Sequence, residues 1–242
     1  MAQSNHPNGS VDARVNRLLG ALEPVDYDAF MAETEVVSLR LNSRVFREDE
    51  QVNTVLFPLT CMFSILAGPA GSDLTETATI GREGAVGSLS VILNQTAIGL
   101  HVVQLPGTAV RMEASAFRKH LKDLPRLQNL VDRHWYALTR QALLGAACNR
   151  LHQIEKRCAR WLLMTHDRAG TDTFPLTQEF LANMLAVRRA SVNSATSSLK
   201  KAGLIRYTRG QLIVIDRRGL EKASCDCYRA IRQAYADVGI PF

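Results

Sequence analysis

The spacing of apolar residues changes several times along the chain. From Ala13 to Phe30, Leu18, Leu19 and Leu22 stand at helical spacing and Pro24 interrupts them, which predicts short helices. From Glu35 to about Met112 short apolar runs take over: Val36-Val37, Val55-Leu56-Phe57, Met62 to Leu66, Ala85-Val86 and Val102 to Leu105. Turn residues separate them at Gly68-Pro69, Gly71-Ser72-Asp73, Gly81, Gly84, Gly87, Asn94 and Pro106-Gly107. Strands at short intervals broken by glycine predict a sandwich or barrel-like β domain. From Ala114 the helical period returns. Leu124, Leu127, Val131, Trp135, Leu138 and Ala142 recur at spacings of three and four, predicting one long helix to about Leu151. That stripe fits burial in its own domain or the seam of a dimer. A second apolar series, Cys158, Trp161, Leu162 and Met164, precedes a loop predicted over Asp167 to Phe174. The main domain boundary is expected near residues 150–155.

The segment from Thr177 to Lys201 reads as a helix-turn-helix. Thr177 can cap a first helix from Gln178 to about Leu185, because its hydroxyl accepts from a free N–H of the first turn. Leu181 and Leu185 give that helix its inner face, and Ala182 lets a second helix cross closely. After a break at Ala186-Val187-Arg188, the second helix runs from about Arg189 to Lys201, with Val192, Ala195 and Leu199 facing in. Gly203 suits a left-handed C-terminal cap. Arg189, Ala190, Asn193, Ser194 and Ser197 then face out, small, polar or cationic as entry into a major groove requires. Leu204 to Thr208 and Gln211 to Ile215, joined by Arg209-Gly210, predict a β-hairpin wing with Arg209 at its tip.

Composition matters mainly through where the charge sits. The chain of 242 residues carries a formal +6. Between Ala182 and Arg218 lie Arg188, Arg189, Lys200, Lys201, Arg206, Arg209, Arg217 and Arg218 against one acid, Asp216, giving that window +7. The other 205 residues therefore carry −1, the difference between +6 and +7. A near-neutral body with one basic segment points to a polyanion site there. No apolar run is long enough to span a bilayer, and Met1 to Ser10 is polar, so a cytoplasmic location without membrane contact is expected.

The stretch Leu176-Thr-Gln-Glu-Phe-Leu-Ala-Asn-Met-Leu-Ala-Val-Arg-Arg-Ala-Ser-Val192, followed by Leu199 and Ala202-Gly203-Leu204-Ile205, resembles the Crp–Fnr family of bacterial transcription regulators. Arg157-Cys158-Ala159-Arg160-Trp161-Leu162-Leu163 is similar to the start of that family's DNA-binding domain, and Ile80 to Gly87 to part of its β-roll. The resemblance covers roughly residues 20 to 220. It implies an α+β chain: a tail over 1–12, a β-roll related to cyclic-nucleotide-binding domains over 13–120, a dimerisation helix over 121–152 and a winged helix-turn-helix over 153–242. It also implies a homodimer on double-stranded DNA, favours the dimer-seam reading of Leu124 to Ala142, and makes RNA polymerase a further candidate partner. Carried over residue by residue, Arg189 falls on a base-contacting arginine and Ser191 on a phosphate-contacting hydroxyl residue. Ala190 replaces a frequent glutamate and Ser194 a frequent arginine. Arg188 occupies the second helix's N-cap, and Ala186 replaces a turn glycine, where a left-handed backbone costs alanine roughly 1 kcal/mol. The expected DNA-contacting set is Thr177, Arg188, Arg189, Ser191, Asn193, Ser194, Lys200 and Arg209.

Other chemistry finds less support. A cyclic-nucleotide pocket needs a glutamate for the ribose and an arginine for the phosphate, and Ser88 to Leu100 contains neither. Cyclic AMP is therefore not the expected effector; the effector is an unknown small molecule or protein. The alternative is a constitutive DNA-binding protein whose β-roll is only a dimerisation or interaction scaffold. Cys61, Cys148, Cys158, Cys225 and Cys227 are odd in number and not clustered as an iron–sulfur sensor requires. Cys225-Asp226-Cys227, with no matching Cys/His pair near it in sequence, reads as helix packing rather than a metal site. His101 or Cys61 as a haem ligand is disfavoured, and no catalytic motif appears, so neither cofactor nor enzymatic activity is expected.

Overall fold

Two antiparallel sheets form from the glycine-punctuated segment, and helices follow it. The structure, a computed structural model, describes residues 12–69 and 74–242. The predicted tail before Asp12 and the Gly71-Ser72-Asp73 turn lie outside the described residues.

A short 3-10 turn (Ala13–Val15) leads into α1 (Arg17–Gly20) and α2 (Pro24–Met31). Buried Asn16 anchors this start. Its carboxamide oxygen accepts from the N–H groups of Leu18 and Leu19, and its nitrogen donates to the carbonyls of Pro58 and Gly84. Every polar atom it buries has a partner, as burial of an amide requires. Then come β1 (Thr34–Leu39), β2 (Arg44–Phe46), β3 (Thr54–Pro58), β4 (Met62–Ala67), β5 (Thr75–Ile80), α3 (Ser88–Leu93), β6 (Leu100–Leu105) and β7 (Gly107–Glu113). The two sheets have strand orders β1-β7-β3 and β2-β6-β4-β5. Phe57 on β3 meets Phe30 of α2 edge-on in the buried core.

Here the structure adds to the sequence reading. Strand β5, Thr-Glu-Thr-Ala-Thr-Ile, lacks an apolar run, and β2 is only three residues long. Ala85-Val86 is not a full strand; Val86 makes a single bridge to Leu56. The Ser88 segment is helical, entered through Gly87 in a left-handed conformation.

The helical half begins with α4 (Ala114–Asp123) and α5 (Pro125–Leu151). Pro125 opens α5 at its first turn, where its missing N–H has no intrahelical partner to lose. Helix α6 (Ile154–Ala169) follows after an extended backbone at His152 and Gln153. It runs further than the predicted loop start and stops at left-handed Gly170. Next come β8 (Thr173–Pro175), α7 (Gln178–Met184), α8 (Arg189–Lys201), β9 (Ile205–Thr208), β10 (Gln211–Val214), α9 (Arg217–Ala223) and α10 (Cys227–Asp237). The third sheet has the order β8-β10-β9.

Helix α5 has three faces. Leu127, Val131 and Leu138 are essentially fully buried within the protomer. Helix α10 covers a second side, where Arg140 pairs with Asp237. The expected seam from Leu124 to Ala142 is thus mostly consumed inside the chain. Tyr136, Leu143 and Leu151, 57%, 66% and 73% exposed, instead mark the open apolar face.

Candidate nucleic-acid interface

Local chemistry sets the two helices of the basic segment. Thr177 Oγ1 accepts from the Phe180 N–H at 3.1 Å and caps α7. The chain then turns through Ala186, whose φ of 51° is the left-handed conformation that the alanine makes costly. Val187 N–H donates to the Ala182 carbonyl and closes the turn. Arg188 is the N-cap of α8 in extended conformation, without a side-chain capping bond. Buried Arg157 on α6 donates to the Leu185 carbonyl and so fixes the end of α7 against the domain's first helix.

Helix α8 separates cleanly into two faces. Val192, Ala195, Thr196 and Leu199 are buried, and Thr196 returns its hydroxyl to the Val192 carbonyl. Ala190, Asn193, Ser194, Ser197 and Lys201 are exposed on the opposite side, with Arg189 and Lys200 on one flank. Ser191 is half-buried on the other flank. No acid lies on the helix, so nothing on it repels a phosphate. Helical geometry puts Lys201 near the middle of the outward face, beside Ser194 and Ser197. The sequence-based set names Lys200 and omits Lys201, which a 100° rotation per residue is enough to find, and leaves out Ser197 although the sequence already turns it outward. The wing is a two-residue hairpin whose turn residues, Arg209 and Gly210, have φ of 50° and 78°. Positive φ at both positions matches the twist of the paired strands and puts exposed Arg209 at the tip.

One basic residue in the segment has a different task. Arg217 Nη2 lies 2.6 Å from Asp167 Oδ1, and Nη1 lies 2.6 Å from His166 Nδ1. Tyr228 donates to the same aspartate. This network ties α9 and α10 to α6, while the other seven basic residues remain exposed.

The winged domain also rests on the β-roll. Trp161 on α6 donates to Glu76 Oε1 of β5 at 2.8 Å. The Ser64 hydroxyl lies 2.7 Å from Glu76 Oε2 and 2.8 Å from Gln104 Oε1, and Gln104 Nε2 donates to Thr165 on α6. Ser64 has one proton for these two acceptors, so it serves only one of them at a time. Burial pushes the Glu76 carboxyl from its ordinary 4.5 to about 7, against the bonds from Ser64 and Trp161 and the charges of Arg160 and Arg168. The folded state binds the carboxyl proton more tightly than the unfolded state. The stabilisation is complete below about pH 4.5 and is lost as pH rises through about 7. An unscreened shift of this size is worth roughly 3 kcal/mol, and partial exposure of the residue trims it to about 1–2 kcal/mol. Urea unfolding of Glu76→Gln should therefore show a flatter stability profile across that window; an unchanged slope rules out Glu76 as its source.

A cavity of about 190 Å³ lies between the β-roll and α5, lined by groups including Ile65, Ile98, His101, Trp135 and Leu138. None of its lining side chains is an acid, a lysine or an arginine. His101 is held down at about 4 by burial, and its Nδ1 has no partner. Cys148, His152, Cys225 and Cys227, distant in sequence, converge where α5 ends beside the α9–α10 link.

A β-roll, a long helix and a winged helix-turn-helix with a cationic, acid-free second helix form a fold suited to binding DNA. Residues 156–223 match the family model of the Crp-like helix-turn-helix domain. Those residues thus form a Crp-like helix-turn-helix domain. A Crp/Fnr-family regulator from Eubacterium rectale has the same fold, with TM-score 0.65 and 14% identity over 86% of this chain and 98% of that one. A CRP-family regulator from Thermus thermophilus gives 0.64 and 16% over 78% and 96%. The c-di-GMP-responsive global regulator of Xanthomonas campestris gives 0.63 and 13% over 80% and 100%. The comparison with curated proteins gives no match.

Proposed function

We propose that the protein is a homodimeric, sequence-specific regulator whose two α8 helices enter successive major grooves, about 34 Å apart. The observation that carries this reading is the outward face of α8: small, polar and cationic side chains with no acid, backed by a buried inner face whose one hydroxyl, on Thr196, is bonded back to the Val192 carbonyl. Arg189 reads a base, by the two parallel bonds an arginine gives guanine O6 and N7. Asn193 and Ser194 face base edges. Thr177, Ser191, Arg188, Lys200 and Arg209 hold phosphates; Thr177 keeps its hydroxyl proton for this while its lone pair caps α7. Lys201 and Ser197 join the set on their exposure.

The cavity beside α5 is the effector site in this reading. With no charged lining group, it suits an uncharged, mostly apolar molecule with one polar atom for His101, and it offers no partner to a cyclic phosphate. Such a ligand acts by favouring one dimer geometry over another. RNA polymerase is the partner through which bound dimers act on transcription.

The test is DNA binding with selected operators. Arg189→Ala should lose about 1–3 kcal/mol of discrimination at one position of each half-site. Arg209→Ala should weaken binding to all sequences alike and lower the salt slope by about one. Unaltered operator selectivity in Arg189→Ala would defeat the assignment of α8 as the reading helix.

A further inference from the structure

Five cysteines are present, and they fall into two kinds. Cys61 and Cys158 lie in the main apolar core, where burial pushes each thiol up to about 12. Cys148, Cys225 and Cys227 form a separate buried cluster away from that core. His152, four residues after Cys148 at the end of α5, joins them. Cys148 Sγ stands 3.4 Å from Cys225 Sγ, and Cys227 Sγ stands 3.6 Å from His152 Nδ1. All four ligand atoms lie within 4.8 Å of one another.

The 3.4 Å and 3.6 Å separations lie close to the edge of a metal tetrahedron, and the rest are near enough for small side-chain movements to close. Zinc–sulfur bonds of about 2.3 Å and zinc–nitrogen bonds of about 2.0–2.1 Å put neighbouring ligands about 3.5–3.8 Å apart. Three sulfurs and one imidazole nitrogen are a ligand set of closed structural zinc sites. Charge is matched as well. Three thiolates and a neutral imidazole around a divalent ion leave −1, and the Arg160 guanidinium acts electrostatically on all three sulfurs. Among the described residues neither Arg157 nor Arg160 has a carboxylate in ion-pair contact, and the Nε of each is buried without a partner.

We propose that Cys148, His152, Cys225 and Cys227 bind one zinc ion that clamps the link between α9 and α10 to the end of α5. One ligand pair, Cys148 and His152, ends α5 at the extended backbone of His152 and Gln153, where the long helix hands over to α6, and the other, Cys225 and Cys227, comes from the α9–α10 link. Zinc thus fixes how the DNA-reading unit is carried on α5, independently of what occupies the β-roll cavity.

The test uses the full chain, purified in reductant and dialysed, with zinc and then cobalt(II) as probes. Elemental analysis should give one zinc per chain. Cobalt replacing it should show thiolate-to-metal charge transfer and the intense visible bands of a tetrahedral site. His152→Ala and Cys227→Ser should lose stoichiometric metal. His152→Cys should keep it, which a mere packing role for His152 does not predict, and Cys158→Ala should keep it too. Metal loss should also lower the melting temperature. If a ligand variant fails to fold, the wild-type zinc content and cobalt spectrum still decide. A reduced, folded protein that holds no zinc and gives no cobalt charge-transfer band overturns the proposal. So does iron with acid-labile sulfide, or a Cys148–Cys225 disulfide formed instead of metal binding.

Discussion

Replacing Arg168 with alanine is expected to destabilise the folded chain by about 3–5 kcal/mol, the usual result of stripping one partner from a buried ion pair. The Arg168 and Glu83 side chains are both at 0% exposure, with Nη2 2.7 Å from Oε1. Arg168 Nε donates to the same oxygen at 2.8 Å, Nη1 donates to the Met164 carbonyl and Nη2 to Gln141 Oε1. The guanidinium also stacks on Phe242, 4.0 Å from the ring centroid. One side chain thus joins the β-roll, α5, α6 and the C-terminal residue. Gly81 makes the close approach feasible: a Cβ there would stand 2.8 Å from Arg168 Cδ. Burial alone would raise the Glu83 carboxyl, but the Arg168 charge and the bonds from Arg168 and the Gly81 N–H outweigh it and hold the group below its ordinary value. The sign follows. This carboxylate stabilises the fold above the ordinary glutamate range, and the contribution fades as pH falls through the folded value. Arg168→Ala leaves the carboxylate buried and unpaired, so its penalty should shrink in acid, where protonation removes the charge. The double variant Glu83→Gln, Arg168→Met should recover most of the loss, since neither residue then buries a charge. Denaturant unfolding of the two single variants and the double variant measures the coupling. A loss below about 1 kcal/mol in Arg168→Ala would sink this account.

What the sequence reveals about such features depends on distance along the chain. The helix-turn-helix is legible because its determinants are local. The Thr177 cap, the Ala186 turn and the Gly203 stop act within a few residues of the elements they bound, and α8 has the predicted ends. The family resemblance rests on those residues and agrees with the fold. Glu83 and Arg168 are 85 residues apart, and Cys148 and Cys225 are 77 apart. No spacing rule pairs them; only the docking of α10 along α5 brings the thiols together, so Cys225-Asp226-Cys227 read alone as packing. Charge counting misleads at Arg217 for the same reason, since its partner Asp167 comes from a different helix. Strand β5 escapes the apolar pattern because its polar residues meet helices: Glu76 accepts from Trp161 of α6, and Thr79 accepts from Gln141 of α5.

If the chain pairs as proposed, Leu143→Glu is expected to separate that dimer and to weaken binding to a two-half-site operator by about 10²–10⁴-fold. The apolar period of α5 is shared among three faces, so a stripe chosen from spacing alone picks the most regular face, which packs inside the protomer. The face left open by β5 and α10 carries Tyr136, Leu143 and Leu151, with small Ala146 and Ala147 beside them allowing a second helix to approach closely. Leu143 lies near its middle. In a two-fold pairing of α5 with its copy, a glutamate there buries two carboxylates near the axis, and like charges leaving water together oppose association. The isolated chain should tolerate the change, because Leu143 is 66% exposed and contributes little to the protomer core. Its melting curve should then differ from wild type only as dimer loss requires. Each monomer keeps α8 and the wing, so affinity for a single half-site should hold while the gain from tethering the second half-site disappears. Sedimentation of the free protein, with binding to single and paired half-sites, separates these effects. A Leu143→Glu protein that stays dimeric and binds paired half-sites like wild type would move the seam off this face.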